Sequence, residues 1–251
     1  MASANRYFIR LAYKGTQYHG WQVQPNAMTV QEKLNGALST VLRSDIHVVG
    51  AGRTDTGVHA SNFWAHFDFD APLEEREKIC FRLNRLLPDD IAVYSIHPVA
   101  PNAHARYDAL SRTYQYHITR IKDPFKRELA YFLFYQVDVE KMNHACHLLY
   151  QYEDFTSFSK RQSQTKTNLC DIYRAEWQQM GQMLIFTIQA NRFLRNMVRA
   201  IVGTLLDVGQ GRIDAEGFRK IIESSNRSMA GYSVPANGLF LTHVQYPDTL
   251  M

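Results

Sequence analysis

The chain has 251 residues, of which 45% are hydrophobic, 21% charged and 12% aromatic, an ordinary globular composition for one large domain or two small ones. The net charge is only +4, so total charge alone does not require a polyanionic partner. The basic residues are 19 Arg and 9 Lys, and this excess modestly favours nucleic acid because the Arg fork pairs with phosphates and stacks on bases.

The cysteines and the N-terminus exclude several classes of protein. Cys80, Cys146 and Cys170 are odd in number and far apart, which argues against a disulfide framework or a structural zinc site. We expect three buried, reduced thiols. The sequence also lacks a signal-peptide pattern and any apolar run of the roughly 18 residues that a membrane span needs. We therefore expect a soluble, cytoplasmic protein.

Local patterns predict strands and helices that alternate along the whole chain. In chain order they are strand 5–14, helix 29–43, strands 46–50 and 62–69, helix 74–86, strands 91–98, 111–120 and 130–135, helix 138–150, strands 171–178 and 182–190, helices 191–208 and 214–224, and strand 239–246. The weakest join lies at 98–102, where two prolines bracket a turn. The order predicts an α+β protein of two similar halves, 1–105 and 106–251, with a cleft between them.

A short loop between two predicted strands, 52–57, contains Asp55 between two glycines. Glycine permits tight backbone turns, and Asp and Thr are themselves turn formers, so a plain surface turn is the simplest interpretation. Asp55-Thr56-Gly57 also matches the triplet of aspartic proteases, in which two carboxylates share a proton. Polar residues directly before Asp55 weaken that reading. Arg53 beside the carboxylate is what a nucleotide-modifying site would require.

The predicted helix 191–208 carries three arginines. At 100° per residue, Arg192, Arg195 and Arg199 fall on one face, opposite a mainly apolar face. A solvated face is the ordinary fate of such a stripe. The alternative is that one of these arginines pairs with the Asp55 carboxylate, since an ionised carboxylate in a water-poor pocket needs a positive partner.

Seven blocks of the sequence, in the same order as in the family, resemble the tRNA pseudouridine synthase A (TruA) family. They are 18–24 with 29–31, 51–60, 83–88 with 90–91, 105–109 with 112–116, 154–158, 193–203 and 235–246. Together they extend over nearly the whole chain. Thr56 departs from the family, which more often has Ala there, and Arg195-Asn196 before Met197 is also less typical.

The resemblance implies the pseudouridine synthase fold, with mainly antiparallel mixed sheets flanked by helices. It implies that uridine is isomerised to pseudouridine at tRNA positions 38, 39 and 40, with Asp55 as the nucleophilic carboxylate. The reaction is an isomerisation, so no cofactor or metal is expected, and His19, His59 and His104 lack the spacing of ligands. Whether Asp55 attacks C1′, attacks C6 or acts through a glycal stays open.

The resemblance also assigns roles to other residues. Tyr114 would stack on the target base and Arg199 would pair with Asp55. For substrate binding, the resemblance implies Arg53 at the flipped base and an apolar wall of Leu239 and Leu241. Arg192 and Arg195 would then contact phosphates.

The expected partner is tRNA, bound by a homodimer. A polar, basic stretch at 159–168 is the best candidate for an arm that contacts the RNA, and further basic surface residues include Arg82, Arg85, Lys122, Lys126 and Arg127. The competing hypotheses are an RNA-binding module with this fold but no catalysis, and the acid protease described above. The presence of Asp55, Tyr114 and Arg199 argues against the first.

Overall fold

The structure, a computed structural model, describes residues 5–160 and 167–250. In these ranges the elements are, in chain order, β1 (Asn5–Tyr13), α1 (Val30–Leu42), β2 (Val49–Gly50), β3 (His59–Phe69), α2 (Arg76–Leu86), β4 (Ile91–Val99), β5 (Ser111–Thr119), β6 (Tyr131–Phe132), α3 (Val139–Cys146), β7 (Ile172–Met180), β8 (Met183–Ala190), α4 (Met197–Gly209), α5 (Ala215–Glu223) and β9 (Leu239–Gln245). Helices flank mostly antiparallel strands, which confirms the predicted fold class.

The chain divides into two compact units. The first comprises Met1–Leu110 and Leu241–Met251, and the second comprises Ser111–Phe240. In the first unit, β1 lies between β3 and β4 and is antiparallel to both, while β2 pairs with β3. In the second, β8 lies between β5 and β7 and is antiparallel to both, and β6 runs parallel to β5.

Strand β1 is buried along one face and at Phe8 on the other. Its alternating residues Tyr7, Ile9 and Leu11 are buried, as their period of two predicts. Phe8, which points to the opposite face, is also fully buried because its ring packs edge-on against Tyr246 at 5.3 Å and stacks on His66 at 6.2 Å. A strand that is paired along both edges gives the first unit a frame for the loops at its ends.

Helix α1 begins where the sequence predicts. The Thr29 hydroxyl accepts the backbone N–H of Glu32, which satisfies one of the donors that every helix start leaves unpaired. Leu34, Leu38 and Val41 lie on one helical face and are buried. The helix ends at Leu42 and is followed by Arg43, whose φ of 54° is left-handed.

Helix α4 differs from its prediction at its start and in its surroundings. It begins at Met197 instead of 191, because Asn196 has a left-handed φ of 66° that a helix cannot contain. Apart from Arg199 and Asp207, its side chains are buried all round, so it is a central helix without a solvated face. No helix in the described ranges is long and apolar enough to cross a membrane.

Other elements differ from their predictions in length. Strand β3 begins at His59, three residues earlier than predicted, so it follows the Asp55 loop almost directly. Strand β6 has two residues where six were predicted. Helix α3 ends at Cys146 and continues as a 3₁₀ helix, His147–Gln151. Cys80, Cys146 and Cys170 are buried and free, as expected.

Candidate active site

Asp55 lies in the loop that connects β2 to β3. The loop leaves β2 with the Ala51 N–H donating to the Trp64 carbonyl at 2.8 Å, and it turns with the Val58 N–H donating to the Asp55 carbonyl at 3.1 Å. Gly57 has a φ of +78°, which favours glycine at this point of the turn. Asp55 is half-buried and Arg53 is exposed. The loop is therefore an ordered turn that presents its carboxylate from a fixed backbone.

The segment that follows β1 supports this loop through its backbone. The Trp21 N–H donates to the Thr54 carbonyl at 3.2 Å, and the Gly57 N–H donates to the Tyr18 carbonyl at 3.3 Å. Gly20 has a φ of +87°, and a Cβ there would overlap the Thr54 carbonyl oxygen. Only glycine allows the two backbones to approach this closely. The block around Tyr18 and the Asp55 loop, which are distant in sequence, are thus one structural piece.

Two buried side-chain hydrogen bonds reinforce the same contact. The Tyr13 hydroxyl lies 2.9 Å from the hydroxyl of Thr54, the residue that directly precedes Asp55. The Gly15 N–H donates to Nδ1 of His59 at 2.9 Å, and His59 is 1% exposed. His59 is therefore a structural acceptor at the end of the loop. The sequence did not single out Tyr13, although its place as the last residue of a strand that leads into Gly15 was a usable signal.

Tyr114 occupies the middle of β5 in the second unit. It pairs with Ile188 of β8, is half-buried, and its ring meets that of Phe193 edge to face at 5.1 Å. Tyr116, on the same face of the strand, is the core tyrosine: it is fully buried and its hydroxyl donates to the Pro235 carbonyl at 2.8 Å. Burial raises the pKa of Tyr116 well above its usual range. Tyr114 is thus less buried than Tyr116.

Arg199 lies in the first turn of α4 and is half-buried. Its Nε donates to the Val234 carbonyl at 2.6 Å, and the Val234 N–H donates to the Arg199 carbonyl at 3.2 Å. These bonds join the helix to a segment that crosses it. At the crossing, a Cβ on Gly203 would overlap the Tyr232 carbonyl oxygen, so only glycine allows the helix and the segment to approach this closely. The guanidinium of Arg199 is held in one orientation by this crossing.

The prediction that Arg192, Arg195 and Arg199 share one helical face is wrong for the first two. Arg192 and Arg195 lie in the irregular segment before α4, so they do not share a helical face with Arg199. Arg192 is half-buried and lies near Cys170, whose pKa burial raises to about 11 although the Arg192 charge opposes the rise. Arg195 is exposed, and its carbonyl accepts the Lys160 N–H at 3.0 Å. Helical periodicity alone could not detect the left-handed Asn196 between them.

The remaining predicted residues are an apolar pair and a set of basic side chains. Leu239 and Leu241 of β9 are both buried, at 6% and 2% exposure. Arg82, Arg85, Lys122, Arg127 and Lys160 are exposed, and Lys126 is half-buried. Of the predicted RNA-contacting arm at 159–168, residues 161–166 lie outside the described part of the chain.

Comparison with known proteins gives one consistent result over almost the full length. A family model described as tRNA pseudouridine synthase matches residues 10–108 and 145–247. A tRNA pseudouridine synthase A of Parabacteroides distasonis is 56% identical over 245 residues, covering 98% of this chain and 97% of the relative. One of Bacteroides fragilis is 55% identical over 249 residues, covering 99% of each chain.

A more distant relative agrees. A tRNA pseudouridine synthase A of Bacillus licheniformis is 41% identical over 242 residues, covering 95% of this chain and 98% of the relative. The first matched range includes the Asp55 loop with its supporting segment, and the second includes α4 with the segment that crosses it. The chain therefore belongs to the tRNA pseudouridine synthase family, whose reaction is the isomerisation of uridine to pseudouridine in tRNA.

Proposed function

We propose that this chain isomerises uridine to pseudouridine at positions 38, 39 and 40 of the tRNA anticodon stem-loop, with Asp55 as the catalytic carboxylate. The observation that carries the proposal is the construction of the Asp55 loop. Its backbone is bonded to the segment after β1, and a buried Tyr13–Thr54 pair directly precedes the carboxylate. A loop that served only as a surface turn would not require these buried bonds.

The chemistry needs few groups. The bond from C1′ to N1 breaks, a bond from C1′ to C5 forms, C5 loses a proton and N1 gains one. An ionised carboxylate that attacks C1′ or C6, or that steers a glycal route, satisfies the central step, and a positioned group must take the C5 proton. Atoms and electrons balance without an external oxidant, reductant or phosphate donor.

Arg199 and Tyr114 are the proposed partners of Asp55 in this reaction. The Arg199 bond to Val234 uses Nε, and its terminal nitrogens are the groups that would pair with the carboxylate. Tyr114 would stack its ring on the flipped uracil and assist removal of the C5 proton. In this proposal, half 1–105 supplies the carboxylate and half 106–251 supplies Tyr114 and Arg199.

The proposed substrate contacts lie around these groups. Exposed Arg53 would fill the space of the flipped base or stack on it, since flipping costs a few kcal/mol that must be offset. Leu239 and Leu241 would form the apolar wall against the base. Arg192 and Arg195 would bind phosphates, which suits recognition of a stem by shape instead of by base sequence.

We also propose that the enzyme works as a homodimer in the cytoplasm. The observation in favour of a dimer is a run of exposed apolar side chains between β5 and α3. They are Ile121, Phe125, Leu129, Phe132 and Phe134, with Phe125 90% exposed. Covering such a run stabilises an assembly, because apolar area leaves water. Sedimentation analysis at several concentrations tests this, and a chain that stays monomeric contradicts it.

The decisive experiment is tritium release from unmodified tRNA labelled at C5 of uridine. We expect release by the wild type and none by Asp55→Ala or the isosteric Asp55→Asn. Asp89→Asn, which changes an exposed carboxylate of the same unit, is the matched control and should release tritium normally. Absence of release by a folded, tRNA-binding wild type would instead favour the non-catalytic RNA-binding hypothesis.

The positions of modification require a second readout. Transcripts with a single uridine at 38, 39 or 40 should each release tritium, and a transcript with none of the three should not. Release from the last transcript would contradict the assignment of positions while leaving the reaction itself intact.

A further inference from the structure

The turn that follows β4 presents an aromatic ring to solvent. Tyr107 is 75% exposed, more than any other tyrosine in the described chain, and Arg106 beside it is also exposed. A single exposed aromatic residue is ordinary in a soluble protein. What sets Tyr107 apart is the structure that holds it, here called the Tyr107 turn (104–108).

The backbone of the Tyr107 turn is closed by hydrogen bonds at both ends. Nδ1 of His104 accepts the N–H groups of Arg106 at 3.1 Å and of Tyr107 at 3.3 Å. The His104 N–H donates to the Asp108 carboxylate at 2.7 Å, and the Asp108 N–H donates to the His104 carbonyl at 3.0 Å. The tip of the turn is therefore ordered before any partner binds.

The ring of Tyr107 is supported from inside the protein. Its centroid lies 4.3 Å from that of His104, and the His104 ring lies 4.6 Å from that of His66. His66 is buried, and its Nδ1 accepts the Ala105 N–H at 3.1 Å. Burial lowers the pKa of His66 to about 4, so this ring is neutral near pH 7. A column of rings, edge to face at His66–His104 and tilted at His104–Tyr107, thus runs from the interior of the first unit to the exposed tyrosine.

The charge beside this column favours a polyanion. The guanidinium of Arg106 lies 5.8 Å from the Tyr107 ring centroid, within the range of a cation–π contact. An ordered aromatic ring with an adjacent arginine is how proteins stack unpaired bases of RNA, because every base offers a π face and its backbone a negative charge. A ring already immobilised loses little further entropy when a base stacks on it.

We propose that the Tyr107 turn is a preformed stacking platform for an unpaired base of the tRNA, separate from the base that reacts at Asp55. The inference rests on the proposed function, since it takes tRNA as the partner. It assigns to Tyr107 a binding role through its ring face and no role for its hydroxyl. It also predicts that the Tyr107 ring contributes to affinity without itself adding a phosphate contact.

The test is the affinity for an unmodified tRNA transcript, measured by fluorescence anisotropy for variants at Tyr107. We expect Tyr107→Ala to bind about 5- to 100-fold more weakly, and Tyr107→Phe and Tyr107→Trp to bind as the wild type does within about 2-fold. The slope of log Kd against log salt should be the same for Tyr107→Ala and the wild type, because no counterion is released at a ring face.

The matched control is Tyr94→Ala. Tyr94 lies in the same unit, is 54% exposed and has the Arg10 guanidinium 5.6 Å from its ring centroid, but it belongs to strand β4 and lies outside the Tyr107 turn. This variant should bind tRNA normally. Because Tyr107 is so exposed, Tyr107→Ala should melt at the wild-type temperature. If Tyr107→Ala is destabilised, the comparison of Tyr107→Phe with the wild type still tests the role of the ring.

Each contrary outcome overturns the proposal. The first is wild-type affinity for Tyr107→Ala, and the second is an equal loss of affinity in Tyr107→Phe or Tyr94→Ala. The third is a salt slope for Tyr107→Ala that is reduced by about one, which would indicate a phosphate contact. Normal tRNA affinity together with a smaller sedimenting species would assign the ring to a protein interface instead. Tritium release by the wild type is scored separately, so failure of the platform and failure of the proposed function give different results.

Discussion

The Asp55 loop and the start of α4 present their functional side chains in different ways. The loop is held by the end of β1 and the segment that follows it. The Tyr13 hydroxyl bonds to the Thr54 hydroxyl, the Trp21 N–H donates to the Thr54 carbonyl, and Gly20 allows the two backbones to approach closely. Arg199 is held by a segment some thirty residues later in the chain, which crosses α4 at Gly203. The first arrangement depends on turn formers and small residues that are visible in sequence. The second depends on a crossing of two elements, which no local pattern shows.

If this contrast is correct, a substitution at the crossing of α4 should destabilise the protein more than one at the support of the Asp55 loop. We expect Gly203→Ala to lower the free energy of unfolding by about 3 kcal/mol or more, because its Cβ would overlap a backbone oxygen that cannot move cheaply. Gly36→Ala is the matched control: Gly36 is also inside a helix, but a Cβ there meets nothing within 4 Å. It should be neutral or stabilising by up to about 1 kcal/mol. Urea denaturation measures both, and equal stabilities would contradict the tight crossing.

The next largest effect should separate catalysis from binding at Arg199. We expect Arg199→Ala to lower turnover about 100-fold while the Kd for tRNA changes much less, because in the proposed reaction the lost charge would act on Asp55. Arg195→Ala should behave in the opposite way, with weaker binding and a salt slope reduced by about one. Single-turnover rates and titrations at several salt concentrations distinguish the two. An equal loss of turnover and binding in Arg199→Ala would falsify its assigned role.

The smallest effect tests the support of the Asp55 loop. Tyr13→Phe leaves the Thr54 hydroxyl buried without its partner, which should lower stability by about 1 to 2 kcal/mol. Turnover should also fall, by about 10-fold, because the carboxylate is less well positioned. Tyr7→Phe is the matched control, since the Tyr7 hydroxyl accepts the Leu73 N–H at 2.9 Å on the same buried strand, away from the loop.

Tyr7→Phe should therefore lose similar stability but retain turnover, and Thr54→Ser should retain both because it keeps the hydroxyl. Denaturation curves and single-turnover tritium release report the two quantities. If Tyr7→Phe and Tyr13→Phe slow the reaction equally, the Tyr13–Thr54 bond supports only the fold.

Local signals were sufficient for a large part of the molecule. Three such signals are the period-two pattern of β1, the Thr29 cap of α1 and the glycines around Asp55. Each acts within a few residues, so it predicts the local structure of its own segment. The order of the sequence blocks identified the family, which the full-length relatives then established. The same signals misjudged the start of α4, because Asn196 is an ordinary residue until its surroundings hold it in a left-handed conformation.

The sequence by itself determined the fold class, the position of the Asp55 turn and the family, because these follow from periodicity, turn chemistry and residue identity at matched positions. Only the tertiary structure decided that α4 is buried all round, that Arg192 and Arg195 lie outside it, and that Tyr13 supports the Asp55 loop. It also decided that Tyr107 rests on a column of histidine rings. The physical reason is that burial and hydrogen-bond partners are properties of two or more segments together, whereas a sequence pattern describes one segment at a time.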